Sequence, residues 1–137
     1  MTNKLYGILL RFREGRIAVT ADIEAMLHQV FVKPTDRDVL RFLWWKNGDL
    51  YRKPTTYRMT VHLFGGIWSP SCAAFALQTT LDLHHHNPYT AMARRNFYVD
   101  DILLSTDEET AAESCISQLR AILLEGDFRL TKWASNS

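Results

Sequence analysis

The chain has 137 residues, 47% of them hydrophobic and 23% charged, which is ordinary for one globular domain with a real core. Its formal net charge of +1 excludes a global basic field, so a nucleic-acid partner would have to be met by a local patch. No apolar run reaches the roughly 18 residues of a membrane span, and MTNKLYGILLRFREGR lacks the apolar core and cleavage site of a signal peptide.

Residues 16–23, RIAVTADI, form a β-type run that closes on Asp22. EAMLHQV then predicts a short helix with Met26, Leu27 and Val30 on one side. VLRFLWW (39–45) and YRMTVHLF (57–64) predict two strands, separated by turn signals at Asn47-Gly48 and Pro54. In the second, alternation sets Tyr57, Met59, Val61 and Leu63 on a core face and Arg58, Thr60 and His62 on a wet one. After Gly65-Gly66, Ser69 reads as the N-cap and Pro70 as the first residue of the helix SPSCAAFALQTTLDL. FYVDDILLST reads as a hairpin. Residues 107–125 give the clearest helix, with a stripe through Ala112, Cys115, Ile116, Leu119, Ile122 and Leu123, capping-box spacing at Thr106 and Glu109, and Gly126 as a stop. DFRLTKW closes the chain as a strand. The order β-α-β-β-α-β-β-α-β implies an α+β sandwich of one antiparallel sheet with helices on one face.

The hairpin raises a chemical question. Asp100-Asp101 sits between Phe97-Tyr98-Val99 and Ile102-Leu103-Leu104, where hairpin turns prefer Asn-Gly or Asp-Gly. A plain turn and a metal site both fit these residues. If the strand ending on Asp22 lies beside the hairpin, three carboxylates gather at one sheet edge, each raising the pKa of the others until a divalent cation relieves them. Paired ions in such a cluster would suit in-line phosphoryl displacement, in polymerases and nucleases alike.

Four blocks in order, ADIEAMLHQV, HLFGGIWSPSCAAFALQ, FYVDDILLS and EGDFRLTKWASNS, resemble the palm of reverse transcriptases, most closely those of the BEL/Pao class of long-terminal-repeat retrotransposons. The resemblance runs from about Leu9 to Ser137. It implies a polymerase palm-like antiparallel sheet with helices on one face, and RNA-directed DNA polymerase activity: two-metal nucleotidyl transfer from a dNTP to a primer 3′-hydroxyl. The implied cofactor is Mg²⁺, two ions, with Mn²⁺ as a substitute. The implied metal ligands are Asp22 and Asp100, with Asp101 in a lesser role, and Ile23 offering backbone to the second ion. Tyr98 of the YVDD block would pack against the primer–template end. Gly65, Gly66, Ser69 and Pro70 would line the nucleotide and template pocket, and Lys132 would protonate the departing pyrophosphate. The hairpin tip would thus be Asp-Asp in order to present ligands to metal.

Two departures matter. Leu27 stands where the family has an aromatic steric gate, so discrimination against ribonucleotides is expected to weaken. The chain starts close to its first aspartate and ends soon after Lys132, so residues 1–137 are expected to be a partial domain: a palm with a remnant of fingers and no thumb. RNA or DNA template-primer and dNTPs are the expected partners; the flanking fingers, thumb and ribonuclease H domains of a polyprotein are expected to be absent. With no membrane segment, an intracellular, cytoplasmic retrotransposon particle is the expected setting. Little or no polymerase activity is expected of the chain by itself. The alternatives are a non-catalytic remnant that folds and at most binds nucleic acid or a partner, and an unrelated metal-dependent nuclease.

Other features read more plainly. His84-His85-His86 cannot converge on one ion if helical, since successive residues point about 100° apart; Asp82 with His86 is the one pairing with metal spacing. Arg94 and Arg95, just before the YVDD strand, suit either phosphate contact or a solvated approach to that strand. Of Trp44 and Trp45, on opposite faces of a strand, one is expected in the core. Cys72 and Cys115 read as core thiols in a reducing compartment.

Overall fold

The computed structural model describes residues 3–137. The β-type run forms a strand, Ile17–Ile23 (β1), in which Val19, Ala21 and Ile23 are buried and the residues between them are not. β1 is an inner strand of an antiparallel four-stranded sheet ordered β4-β5-β1-β6, with β4 Phe97–Tyr98, β5 Asp101–Thr106 and β6 Leu130–Ser135. One sheet face is covered by helices. Ala21, Ile23, Ile102 and Leu104 join Ala73, Leu77 and Leu81 of α2 (Ser69–Leu83) and Cys115, Leu119, Ile122 and Leu123 of α4 (Glu109–Leu124) in a single apolar cluster.

Two helices escape the sequence reading. α1 (Leu5–Arg11) docks through Arg11, whose Nε donates to Asn96 Oδ1 at 2.9 Å and whose carbonyl accepts from Ser105 Oγ at 2.8 Å. α3 (Pro88–Asn96) opens on Asn87, whose side chain accepts from the Tyr89 N–H at 2.9 Å, with Pro88 in the first turn. That Asn-Pro pair is a legible start signal. Arg94 and Arg95 therefore belong to the last turn of a helix.

Several expectations are corrected. The strands do not form one sheet: Arg41–Trp44 (β2) and Thr55–Arg58 (β3) pair in a separate two-stranded ribbon. Trp44 is exposed and Trp45 half-exposed, so neither is core. Pairing in 57–64 ends at Arg58 except for a Phe31–Val61 bridge. Two residues depart from the expected faces: Tyr57 is exposed, because no helix covers the ribbon, and His62, beyond it, is buried; Met59, Val61 and Leu63 are half-buried, and Arg58 and Thr60 exposed. The helix expected over 24–30 is a single 3₁₀ turn, Met26–Gln29, entered through Ala25 at φ 48°; a left-handed residue there stops regular helix from starting. α2 begins at Ser69 with Trp68 as its N-cap, and α4 is capped by Glu108 rather than by the Thr106–Glu109 box. Beyond α4 the left-handed position belongs to Asp127 at φ 60°. Gly126 is needed for close packing, since a Cβ there would strike the Thr80 side chain of α2. His84–His86 form the turn after α2; His84 Nε2 lies 2.9 Å from Glu125, and Asp82 pairs with Arg94 at 2.6 Å, so no Asp82–His86 pair is made. Cys115 is buried as expected, whereas Cys72 is only half-buried.

Candidate active site

The polar face of the sheet carries a row of side chains across its strands. Tyr98 of β4 stands opposite Asp101 of β5, Asp101 opposite Asp22 of β1, and Asp22 opposite Thr131 of β6. Cross-strand partners share a face, so Asp22 and Asp101 are neighbours on the side away from the helices.

The β4–β5 register, Tyr98 to Asp101 and Phe97 to Ile102, leaves a two-residue loop of Val99 and Asp100. The tip is therefore Val-Asp, not Asp-Asp, and Asp101 is the first residue of β5. Val99 takes the positive φ, 57°, while Asp100 does not; this is the dihedral demand of a hairpin with one left-handed position, usually filled by glycine. The Asp100 carbonyl accepts from the Ile23 N–H at 2.8 Å, which ties the tip to the end of β1.

Lys132 reaches the same place by another device. The β1–β6 register slips between Thr20–Ala134 and Asp22–Thr131, so β6 holds one extra residue, a bulge that re-aims a side chain. Lys132 sits in it at φ 51°, and its Nζ lies 3.3 Å from Asp22 Oδ2. Three carboxylates against one ammonium leave the group net negative. The Asp101 carboxyl is accordingly held above its ordinary range by partial burial, then by Asp100 and Asp22, with Lys132 opposing.

A cleft of about 390 Å³ opens beside this group. It is lined by Asp22 and Ile23 at the end of β1, Met26 and Leu27 just after it, Gly65 and Gly66 just before α2, Ser69 and Pro70 at its start, Asp100 of the hairpin and Lys132 of β6. Gly65 has φ 90°, and a Cβ on Gly66 would come within 2.7 Å of Ser69 Oγ, so one glycine supplies a dihedral and the next a close approach. Among the described residues, three of the five non-glycine residues with positive φ, Ala25, Val99 and Lys132, line this same cleft. Strained backbone of this kind gathers at functional sites.

Of the residues singled out in the sequence, the cleft assembles Asp22, Ile23, Leu27, Gly65, Gly66, Ser69, Pro70, Asp100 and Lys132. Asp101 and Tyr98 stand on the adjoining sheet face. Arg94 and Arg95 lie apart, lining a groove with Asn3, Lys4 and Gln78; Arg94 is already engaged by Asp82 and by Gln78 Oε1 at 3.0 Å. Leu27 is almost wholly buried and forms part of the cleft wall. Among the described residues no group of three or more His, Cys, Asp or Glu side chains is arranged to hold a metal ion. The available donors are thus a pair facing the cleft, Asp22 and Asp100, with Asp101 adjacent. That fits Mg²⁺, which takes one or two carboxylates and completes its shell with water and substrate phosphate.

One contributor was missed. His62 is buried, its N–H donates to Val30 O at 2.9 Å, and its Nδ1 lies 3.3 Å from Ser69 Oγ. It therefore fastens Val30, three residues beyond Leu27, to Ser69 at the start of α2, behind the cleft lining. A histidine placed by alternation on a wet face gave no hint of this.

No family model matches the chain, and no curated protein matches it. Its structure superposes on a foamy viral protease–reverse transcriptase solved in complex with an RNA/DNA hybrid, with a TM-score of 0.73 over 98% of this chain and at 20% identity. This is a reverse-transcriptase-like fold. The chain spans 16% of the length of that protein. No helix is long and apolar enough to cross a membrane among the described residues.

Proposed function

We propose that this chain is the palm of a reverse transcriptase of the BEL/Pao class, built to transfer a nucleotidyl group from a dNTP to a primer 3′-hydroxyl on an RNA or DNA template. The observation that carries the reading is the cleft itself. It draws Asp22, Gly65-Gly66, Ser69-Pro70, Asp100 and Lys132 from four separate blocks of sequence to one place, on a reverse-transcriptase-like fold.

In this reading Asp22 and Asp100 hold the divalent ions, two Mg²⁺ or Mn²⁺, and Asp101 adds negative potential from the adjoining face. Bound there, the ions would activate the attacking hydroxyl and stabilise the leaving oxygen. The protein's own part is positioning. Gly65 and Gly66 admit base and sugar against bare backbone, with Ser69 held in place by His62. Lys132, supplied by the β6 bulge, offers a proton and a positive charge to the departing pyrophosphate. Tyr98 extends the sheet face toward the primer–template end, and Arg95 is freer than Arg94 to meet phosphate. Leu27 replaces a planar ring with a smaller branched side chain, and ribonucleotides should be rejected less well. In a polyprotein carrying the flanking domains, Leu27→Phe should raise the deoxy-to-ribo selection ratio in primer extension.

A non-catalytic reading for the isolated chain is favoured by one feature: Lys132 occupies Asp22 Oδ2, where an ion would otherwise bind. Mn²⁺ titration of isotope-labelled protein separates the two. Amide signals should broaden around Asp22 and Asp100–Asp101, and Asp100→Asn should abolish the effect. Scattered or absent broadening in folded protein would reject the catalytic reading in favour of a remnant.

A further inference from the structure

Residues 33–58 hold seven lysines and arginines against three aspartates, a net of +4, while the rest of the chain carries −3. The local basic patch that the overall charge conceals is therefore this segment, which contains the β2–β3 ribbon. Every residue of both strands is exposed. A bare two-stranded ribbon is marginal in water, so one that also displays aromatic rings has a covering to find.

The ribbon's register separates its two faces. Phe42 lies opposite Tyr57 and Trp44 opposite Thr55; on the reverse, Arg41 lies opposite Arg58 and Leu43 opposite Thr56. The Phe42 and Tyr57 rings stack, with centroids 5.8 Å apart and planes at 25°, and Trp44, further along the same face, is exposed with its ring edge-on to Trp45. Cations stand at both ends. Arg41 and Arg58 repel as direct cross-strand neighbours, and Asp38 only partly offsets them, its carboxylate 2.7 Å from Arg58 and its carbonyl accepting from Arg41 Nε at 2.9 Å. At the loop end Arg52 pairs with Asp49 at 3.0 Å. Among the described residues Lys46 and Lys53 have no carboxylate within pairing distance.

We propose that the aromatic face of this ribbon binds single-stranded nucleic acid, with bases stacked on Phe42, Tyr57 and Trp44 and phosphates held by Lys46, Arg52 and Lys53 at its loop end. A protein partner would prefer the rings without the lysines, which are depleted at protein interfaces. Stacking platforms framed by cations are the means by which single strands are held without sequence preference. A duplex hides its base faces and would leave the platform bare. None of the ribbon residues lines the cleft, so this site stands or falls separately from catalysis.

The test is fluorescence anisotropy of the full chain with labelled oligo(dT) and oligo(U) of about 12 nucleotides, and with a duplex of the same length. Both single strands should bind more tightly than the duplex, with a slope of log K against log salt of about −2, as for three neutralised phosphates. Phe42→Ser should weaken binding at least about five-fold, the loss of one stacked base. Because that change could loosen the ribbon, the loop double variant Lys46→Glu, Lys53→Glu serves as the second probe; it should weaken binding similarly and flatten the salt slope. Preference for duplex, or affinity indifferent to both ribbon variants, would overturn the proposal. So would self-association that covers Trp44 in the absence of oligonucleotide. If Mn²⁺ broadening fails while the ribbon variants behave as expected, the catalytic reading falls alone; the opposite pattern removes the ribbon site and leaves the cleft.

Discussion

The four-stranded sheet and the two-stranded ribbon begin from the same kind of sequence and end differently. IAVTADI and RFLW are both short runs of apolar residues, yet three of the seven residues of β1 are buried and none of the four of β2. The sheet has α2 and α4 pressed against one face, joined to it in one apolar cluster. The ribbon leans chiefly on the 34–40 helical turn. A β-type run predicts a pleated surface; whether that surface becomes core is decided by a second layer, usually from elsewhere in the chain.

The comparison breaks most readily by truncating one leucine in each region. Leu119 is fully buried in the cluster between sheet and helices, and Leu119→Ala should cost about 2–5 kcal/mol in denaturant unfolding. Leu43, exposed on the ribbon, should cost no more than about 0.5 kcal/mol as alanine. Equal losses would mean that the ribbon is packed against something in solution. A somewhat smaller effect comes from Cys115, whose thiol burial pushes from 9.0 up to about 11. Between those values the unfolded chain ionises the thiol and the folded chain does not. The stability from this group is therefore complete below about pH 9 and falls as pH rises toward 11, by about 2 kcal/mol. Stability measured against pH should include this alkaline step in the wild type and lack it in Cys115→Ala.

The same contrast explains what could be read in advance. The run 16–23 was legible as a strand closing on Asp22, and the helical layer over it then buries Val19, Ala21 and Ile23 and leaves Asp22 facing out. The α4 stripe was legible because a helix laid on a sheet repeats its apolar residues at helical spacing. Tyr57 and His62 departed from the alternation because it assumes a face to bury, and past Arg58 the chain leaves the ribbon and turns inward. The acids of the cleft could be named from their positions in the blocks, but not how they are presented. A bulge in β6 that sends Lys132 to Asp22, and a loop that places Val99 rather than Asp101 at the tip, are register facts. A one-residue slip changes both, and nothing local in the sequence fixes it.

The smallest effect is the sharpest, because the two hairpins solve one backbone problem with different residues. In the ribbon's loop the left-handed positions fall to Asn47 at φ 57° and Gly48 at φ 72°, which tolerate them at little cost. In the sheet's hairpin the same φ of 57° is imposed on Val99, a β-branched residue for which it is a true outlier, costing roughly 1–2 kcal/mol. Val99→Gly removes that cost but adds backbone freedom to the unfolded chain, worth about 0.5–1 kcal/mol in the other direction. The net should be a gain below about 1 kcal/mol, read as a rise in Tm of about 3 °C. Asn47→Gly should move Tm by less. A fall in Tm for Val99→Gly would mean that the Val99 side chain, which lines the cleft, contributes more by contact than its backbone costs. The expected rise carries a further consequence. The sheet's hairpin would then hold a residue that stability alone does not favour, at the position just before Asp100. The ribbon, with no acid to aim, uses the inexpensive pair.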